Sequence, residues 1–287
     1  MKALDNLWLN VGAMKSGTSW LARQFEDHPD VFLTPIKEIH YFAHVHSPVK
    51  FLDRNGRVEA LKTYINWVST DLHPDILKFN LRWFESYLDE PVDDIWFRNL
   101  YKDRGAKRYC AEFSNITAVL DETAWAHIKN ISDNVKVTYT MRDPFVRLWS
   151  HTRFQAQING VFHQIPTWRE TEYRAFFDSG DLLQHSCYSH TISKLRHNLE
   201  PHQYRLIYFE DFRDNPLKEL RGVEQFLSIE QKDYFNLEFH NPSLPLGIPG
   251  QFLLAAQRAI GSEFDSLDHL GARIPTSWTL PERVSKE

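Results

Sequence analysis

The sequence predicts an α/β fold, with a central parallel sheet flanked by helices and irregular helical insertions. Short apolar runs alternate with helix-patterned stretches, as expected when parallel strands are joined by helices. The first run, Leu7 to Val11, passes through Gly12 into a glycine-framed turn and then a helix. No internal repeat or low-complexity linker interrupts the alternation, and 287 residues suit a single domain, 1–287.

In order, the first helix is expected from Thr18 to about Asp27, stopped by His28-Pro29. Val31 to Leu33 and Tyr109 to Phe113 read as the second and third strands. Lys136 to Thr140 reads as the fourth, ending at Met141-Arg142. Asp143 is placed to cap the next helix, with Pro144 at its first position, where a missing N–H does no harm. Tyr204 to Phe209 is the fifth strand, and Pro216 to Leu227 the following helix. Residues 44–108 are rich in aromatics and charge and read as a mostly helical insertion. Residues 240–287 form a proline-rich C-terminal segment with one helix near Phe252 to Ile260. Substrate specificity is expected in such irregular regions, since loops on a rigid scaffold usually carry it.

Composition narrows the function classes. Hydrophobic residues make up 42%, charged residues 25% and aromatics 14%, with nine Trp. The aromatics fit a lined cleft or an aromatic core equally well. A net charge of −5 argues against nucleic acid as a partner. Cys110 and Cys187 are too few for a disulfide framework and lack metal-ligand spacing. No signal-like or membrane-spanning apolar run occurs, so a soluble, cytoplasmic protein without a membrane partner is expected. The oligomeric state is left open.

The strongest local signal is LWLNVGAMKSGTSWLARQF. A strand, a glycine-rich turn and a helix start aim backbone N–H groups at one point, which favours an anion. Gly12 and Gly17 frame four residues, as in the nucleotide-triphosphate loop GxxxxGK[ST]. The lysine that should follow Gly17 is replaced by Thr18, and the only lysine is Lys15 inside the loop. A triphosphate enzyme needs that lysine and a metal for its γ-phosphate. A sulfuryl donor carries less charge at the transferring group.

The string GAMKSGTSWL resembles the 5′-phosphosulfate loop of sulfotransferases that use 3′-phosphoadenosine 5′-phosphosulfate (PAPS), PxxKSGTTWL. Met14 stands where the family often has Pro, and Ser19 where it often has Thr. About 125 residues on, MRDPFVRLWS resembles the family's 3′-phosphate motif RDPxxRxxS. The late segment YRLIYFEDFRDNPLKELRGVEQFL also resembles the family, while an RKG-type element is not found. The resemblance covers roughly residues 7–43 and 108–230. It implies a P-loop-like fold, PAPS as donor, adenosine 3′,5′-bisphosphate as product, and no metal.

Residue by residue, the resemblance implies that Lys15, Ser16, Gly17, Thr18, Ser19 and Trp20 contact the donor, with Lys15 stabilising the leaving oxygen. Arg142 and Ser150 would hold the 3′-phosphate, by a guanidinium fork and a hydroxyl. Arg147 reads as a second phosphate contact or as an internal salt bridge. Glu210 and Asp211 read as structural.

PIKEIHYFA resembles the string that carries the catalytic glutamate of carbohydrate-type sulfotransferases. Glu38 is therefore the expected general base, with Lys37 paired to it or to the donor. His40 is the rival base, since histidine titrates near pH 7, and His44 and His46 are further candidates. Where many carbohydrate-acting relatives have Glu-Lys-(Ser/Thr)-Pro, this chain has Glu112-Phe113-Ser114-Asn115. Loss of that lysine points away from polyanionic sugars and toward a small or partly apolar acceptor with a hydroxyl, or less favourably an amine. The rival functions are a nucleotide kinase with a degenerate loop and a non-catalytic nucleotide-binding protein.

Overall fold

The computed structural model describes residues 3–239 and 247–278. Its strands β1 (Leu4–Asn10), β2 (Val31–Leu33), β3 (Tyr109–Phe113), β4 (Ser132–Met141) and β5 (Tyr204–Tyr208) form one sheet in the order β2-β3-β1-β4-β5. Every neighbouring pair is parallel. Successive side chains point to opposite faces, so Leu7 and Leu9 enter one core and Trp8 the other. Val135, Val137 and Tyr139 of β4 join the first core. Phe113 and Ile207 join Trp8 in the second.

Helix α1 (Thr18–Phe25) packs Leu21 and Phe25 into the Trp8 core. Between β2 and β3 lie four helices, α2 (Tyr41–His46), α3 (Arg54–Trp67), α4 (Pro74–Leu88) and α5 (Asp94–Asn99). Asp53 starts α3 by accepting from the Gly56 amide at 2.7 Å. Further along lie α6 (Glu122–Ile131), α7 (Pro144–Ile158), α8 (Glu170–Asp178) and α9 (Tyr188–Asn198). The chain continues through α10 (Phe209–Asp214), α11 (Pro216–Leu227), α12 (Gly250–Ile260) and α13 (Glu263–His269). Asp143 caps α7 as its position suggested, accepting from Phe145 at 2.9 Å and Val146 at 3.1 Å. Among the described residues no helix is long and apolar enough to cross a membrane.

Several boundaries differ from the sequence expectation. β1 starts at Leu4 rather than Leu7, and β4 at Ser132 rather than Lys136. Most of these early residues are polar, yet they pair across the sheet. Leu4 lies opposite Ser132, Asn6 lies opposite Asn134, and Asn134 donates to Asn6 at 2.9 Å. Phe209, expected at a strand end, opens α10 instead. Residues 240–246 and 279–287 of the C-terminal segment lie outside the described residues.

Because all five strands run the same way, the segments that follow them meet along one edge of the sheet. In open α/β sheets the crevice beyond the strands' carboxyl ends is where ligands bind. Here it receives the turn after β1, residues 34–40 after β2, Ser114-Asn115 after β3, Arg142 after β4 and Phe209 after β5.

Candidate functional site

The turn after β1 is held by the sheet beneath it. Ala13 donates to Thr140 O at 2.7 Å, and Thr140 donates to Gly12 O at 2.7 Å. Side chains under the turn are paired too: Asn10 Nδ2 donates to Thr138 Oγ1 at 3.1 Å and Thr140 Oγ1 at 3.2 Å. Gly17 has φ 87°, and a Cβ there would sit 2.8 Å from the Phe209 ring. Glycine is thus required at this position by both conformation and space. Lys15 also adopts a left-handed backbone, φ 68°.

A cavity of about 590 Å³ opens above this turn. Lys15, Gly17, Thr18, Ser19 and Trp20 line it from the turn and α1, Arg142 and Ser150 from the end of β4 and from α7, and Glu38 from the segment after β2. The structure therefore brings together eight of the residues singled out from sequence. Ser16 and His40 do not line this cavity. Ser16 is fully buried, and its amide closes the turn on Ala13 O at 3.2 Å. His40 sits behind Glu38, facing a second cavity.

Arg147 is engaged internally, and among the described residues no carboxylate forms an ion pair with it. Its fully buried guanidinium donates to Ser186 Oγ at 2.7 Å, Leu182 O at 2.7 Å and Met14 O at 3.3 Å. It ties α7 to the loop and does not reach the cavity. Arg142 stays at the wall, with its guanidinium 4.6 Å from the Phe209 ring centroid and 3.4 Å from Lys15 O. Its main chain is fixed by Tyr188, whose hydroxyl donates to Arg142 O at 2.7 Å.

Lys37, Asn115 and His40 meet at Glu38. Its Oε1 accepts from Lys37 Nζ at 3.1 Å and from Asn115 Nδ2 at 2.6 Å. Lys37 also donates to Thr18 Oγ1 at 3.1 Å and Ser19 Oγ at 3.2 Å. Thr18 Oγ1 donates to Asn115 Oδ1 at 3.1 Å. Glu38 Oε2 remains directed at His40 Nε2, 3.7 Å away. Glu38 and His40 both have positive φ, 64° and 59°. Such non-glycine backbones cost on the order of 1 kcal/mol each and persist where neighbours over-determine them. One neighbour is Ser114, whose Oγ accepts from the His40 amide at 3.0 Å and donates to buried Glu112.

The charges are concentrated. Among the described lining residues Lys15, Arg23, Arg142 and Arg213 are cationic and only Glu38 is anionic. This local basic site lies within a chain of net charge −5. Burial pushes the Lys15 ammonium below its ordinary 10.5, and the Arg153 and Arg142 charges push the same way. Burial also lowers the His40 imidazole below 6.5, with Glu38 opposing, so the ring is neutral near pH 7. His44 and His46 line neither cavity: His44 accepts from Leu52 N at 3.0 Å, and His46 pairs with His127 at 2.9 Å.

Sequence reasoning missed Arg23, Arg213 and the bridging role of Asn115. Asn115 had been noted only as the residue replacing a proline. Its neighbour Phe113 packs on Trp8 at 5.0 Å in the core, so that position offers no cation to either cavity.

An anion-receptive turn thus lies at the carboxyl edge of a parallel sheet, in a cavity that also carries Arg142. A family model of the sulfotransferase domain matches residues 5–241, and the chain belongs to the sulfotransferase family. Transfer of a sulfuryl group is the chemistry of that family. The fold is shared with a sulfotransferase from Alicyclobacillus acidocaldarius at 19% identity and TM-score 0.62, covering 94% of this chain and 97% of that one. It is shared as well with the sulfotransferase domain of the Synechococcus PCC 7002 olefin synthase, at 16% and 0.57, covering 96% and 98%. A sulfotransferase domain from the curacin biosynthetic pathway aligns at 13% and 0.58, covering 95% and 99%. At such identities the likeness is one of fold. No curated protein matched the chain.

Proposed function

We propose that the protein transfers the sulfuryl group of PAPS to a hydroxyl of a small or partly apolar molecule, releasing adenosine 3′,5′-bisphosphate. An amine is the less favoured acceptor. One observation carries the reading: a single cavity pairs the Lys15 turn with the Arg142–Ser150 wall, matching a donor with two separated anionic ends. The 5′-phosphosulfate lies on the turn and the N-terminus of α1, where amides and helix dipole favour negative charge. Arg142 and Ser150 take the 3′-phosphate. Trp20, on the turn side of the cavity where it stacks on Phe239 at 4.2 Å, adds aromatic surface for the base.

In the reaction the acceptor oxygen attacks sulfur as the sulfur–oxygen bond to the phosphate breaks. The electron pair of that bond leaves on the phosphate oxygen, and Lys15 stabilises the developing charge. Glu38 takes the acceptor proton on Oε2, the oxygen not engaged by Lys37 and Asn115. His40 stands 3.7 Å behind it as a positioning group.

Thermal shift separates this from the rival functions. Adenosine 3′,5′-bisphosphate should stabilise the protein more than ADP or AMP, with or without chelator. Saturation at a hundred times Kd adds about 2.7 kcal/mol. Stabilisation by ATP that disappears with EDTA would establish a kinase instead. Transfer of label from PAPS to an acceptor hydroxyl then distinguishes an enzyme from a binding protein.

A further inference from the structure

A second cavity, of about 430 Å³, lies on the far side of Glu38. Residues 36–40 form one wall, and α3 with Phe51 and Leu52 forms the other. Glu38 is the one described residue that lines both cavities. Any group seated here with its hydroxyl at Glu38 therefore meets the donor across a single carboxylate.

Lys37, Glu38 and His40 supply the ionisable groups of the lining. Phe51, Ala60, Tyr64, Trp67 and Tyr87 add mostly rings and alkyl groups. The Phe51 ring sits 5.0 Å from His40, so aromatic surface reaches the ionisable groups. The volume is that of a small-molecule site.

The cations nearby are already engaged. Lys37 is held by Thr18, Ser19 and Glu38. Arg57, the buried arginine of α3, donates to Asp89 O at 2.6 Å and to Glu90 at 2.7 Å. An acceptor carboxylate or sulfate would be desolvated without a partner, which is strongly unfavourable. A protonated amine would pair with Glu38 and occupy the base while lacking a nucleophilic lone pair.

The geometry points to this cavity as the acceptor subsite, selective for neutral alcohols or phenols with an apolar, ring-containing body. The assignment rests on the sulfotransferase reading and deepens it. The hydroxyl oxygen forms the new bond to sulfur, its proton passes to Glu38, and adenosine 3′,5′-bisphosphate departs with the electron pair of the broken bond.

The probes are 2-naphthol and its anionic counterpart, 6-hydroxy-2-naphthoate. With labelled PAPS, 2-naphthol should be sulfated with a kcat/KM at least about tenfold higher. Ala60→Phe fills the cavity and should raise the 2-naphthol KM about tenfold or more, with adenosine 3′,5′-bisphosphate affinity unchanged. Thr63→Arg places a cation on the lining and should reverse the preference toward the carboxylated probe. Equal use of both probes, or full 2-naphthol turnover by Ala60→Phe, would overturn the assignment. Calorimetry keeps the two readings apart. Saturable 2-naphthol binding that Ala60→Phe abolishes, without sulfation, upholds the cavity and removes the sulfotransferase reading. Absence of saturable binding in a protein that binds adenosine 3′,5′-bisphosphate removes the cavity alone.

Discussion

Replacing Lys15 by alanine separates chemistry from binding. The ammonium lies within the turn, 4.4 Å from the Phe154 ring centroid. Of the four cations that line the donor cavity, three remain in the variant: Arg23, Arg142 and Arg213. Ground-state attraction for the donor is thus largely preserved, whereas the charge assigned to the leaving oxygen is lost. Removing one such preorganised donor typically lowers kcat by about 10²–10³, or roughly 3–4 kcal/mol in the barrier. The fold should tolerate the change. Alanine meets the same left-handed backbone that Lys15 already accepts at φ 68°. Loss of the ring contact removes about 0.5–1 kcal/mol, a Tm decrease of about 2 °C. Lys15→Arg should restore only part of the rate, since a planar fork does not replace a compact ammonium in a tight turn. The assay is single-turnover transfer from saturating PAPS, wild type against both variants. If Lys15→Ala kept kcat within about threefold of wild type, the lysine would be an anchor and the transition-state argument would fail.

Further expectations concern the walls around it. Arg142→Ala should raise the donor KM by about 10- to 100-fold and leave kcat nearly unchanged, because a remote phosphate contact of about 1.5–3 kcal/mol acts alike in ground and transition states; an unchanged KM would remove Arg142 from the donor site. Asn115→Leu loses the bonds to Glu38 and Thr18 and should lower kcat by about 10- to 100-fold. Asn115→Asp sets a second carboxylate against Glu38 and should move the acidic limb of the rate profile to higher pH, a shift that a merely structural role would not produce. Burial raises the Glu112 carboxyl from 4.5 to about 7, against the opposing hydrogen bond from Ser114. Between those values the folded chain keeps a proton that the unfolded chain releases, so stability should fall as pH rises from 4.5 to 7, by about 3 kcal/mol. Urea midpoints at pH 5 and pH 7.5 should show this for wild type and a flatter dependence for Glu112→Gln; equal slopes would reject it.

The donor cavity was largely legible in the sequence because its parts are local. Gly12, Lys15 and Gly17 lie within one strand-turn-helix string, and Arg142, Asp143 and Pro144 mark one strand end and one helix start. Their types report backbone needs that hold before any tertiary contact forms. The strands that were cut short, β1 and β4, carry early polar residues whose partners lie across the sheet, as Asn6 and Asn134 do. Alternation of apolar residues carries no trace of such pairing. Asn115 was opaque for a related reason. Its amide joins Thr18 to Glu38 across 97 and 77 residues of sequence, and no spacing rule encodes that. Arg147 stood open between two roles until its donors were seen to end on Ser186, Leu182 and Met14.

The way α3 is seated has a consequence for how such an enzyme diverges. Of its residues only Arg57 is buried, so most positions along the helix face solvent or the second cavity. Substitutions at surface positions usually change stability by no more than about 0.5 kcal/mol. The donor cavity is built instead on sheet ends and a turn whose buried groups are mutually bonded, where most changes are destabilising. Drift and selection therefore act on two tiers of one molecule. Glu38 is the one described side chain the two cavities share, and the exposed positions of the helix beyond it can accumulate variation. A lineage could broaden or exchange its acceptors through α3 while the sulfuryl-handling half stayed fixed.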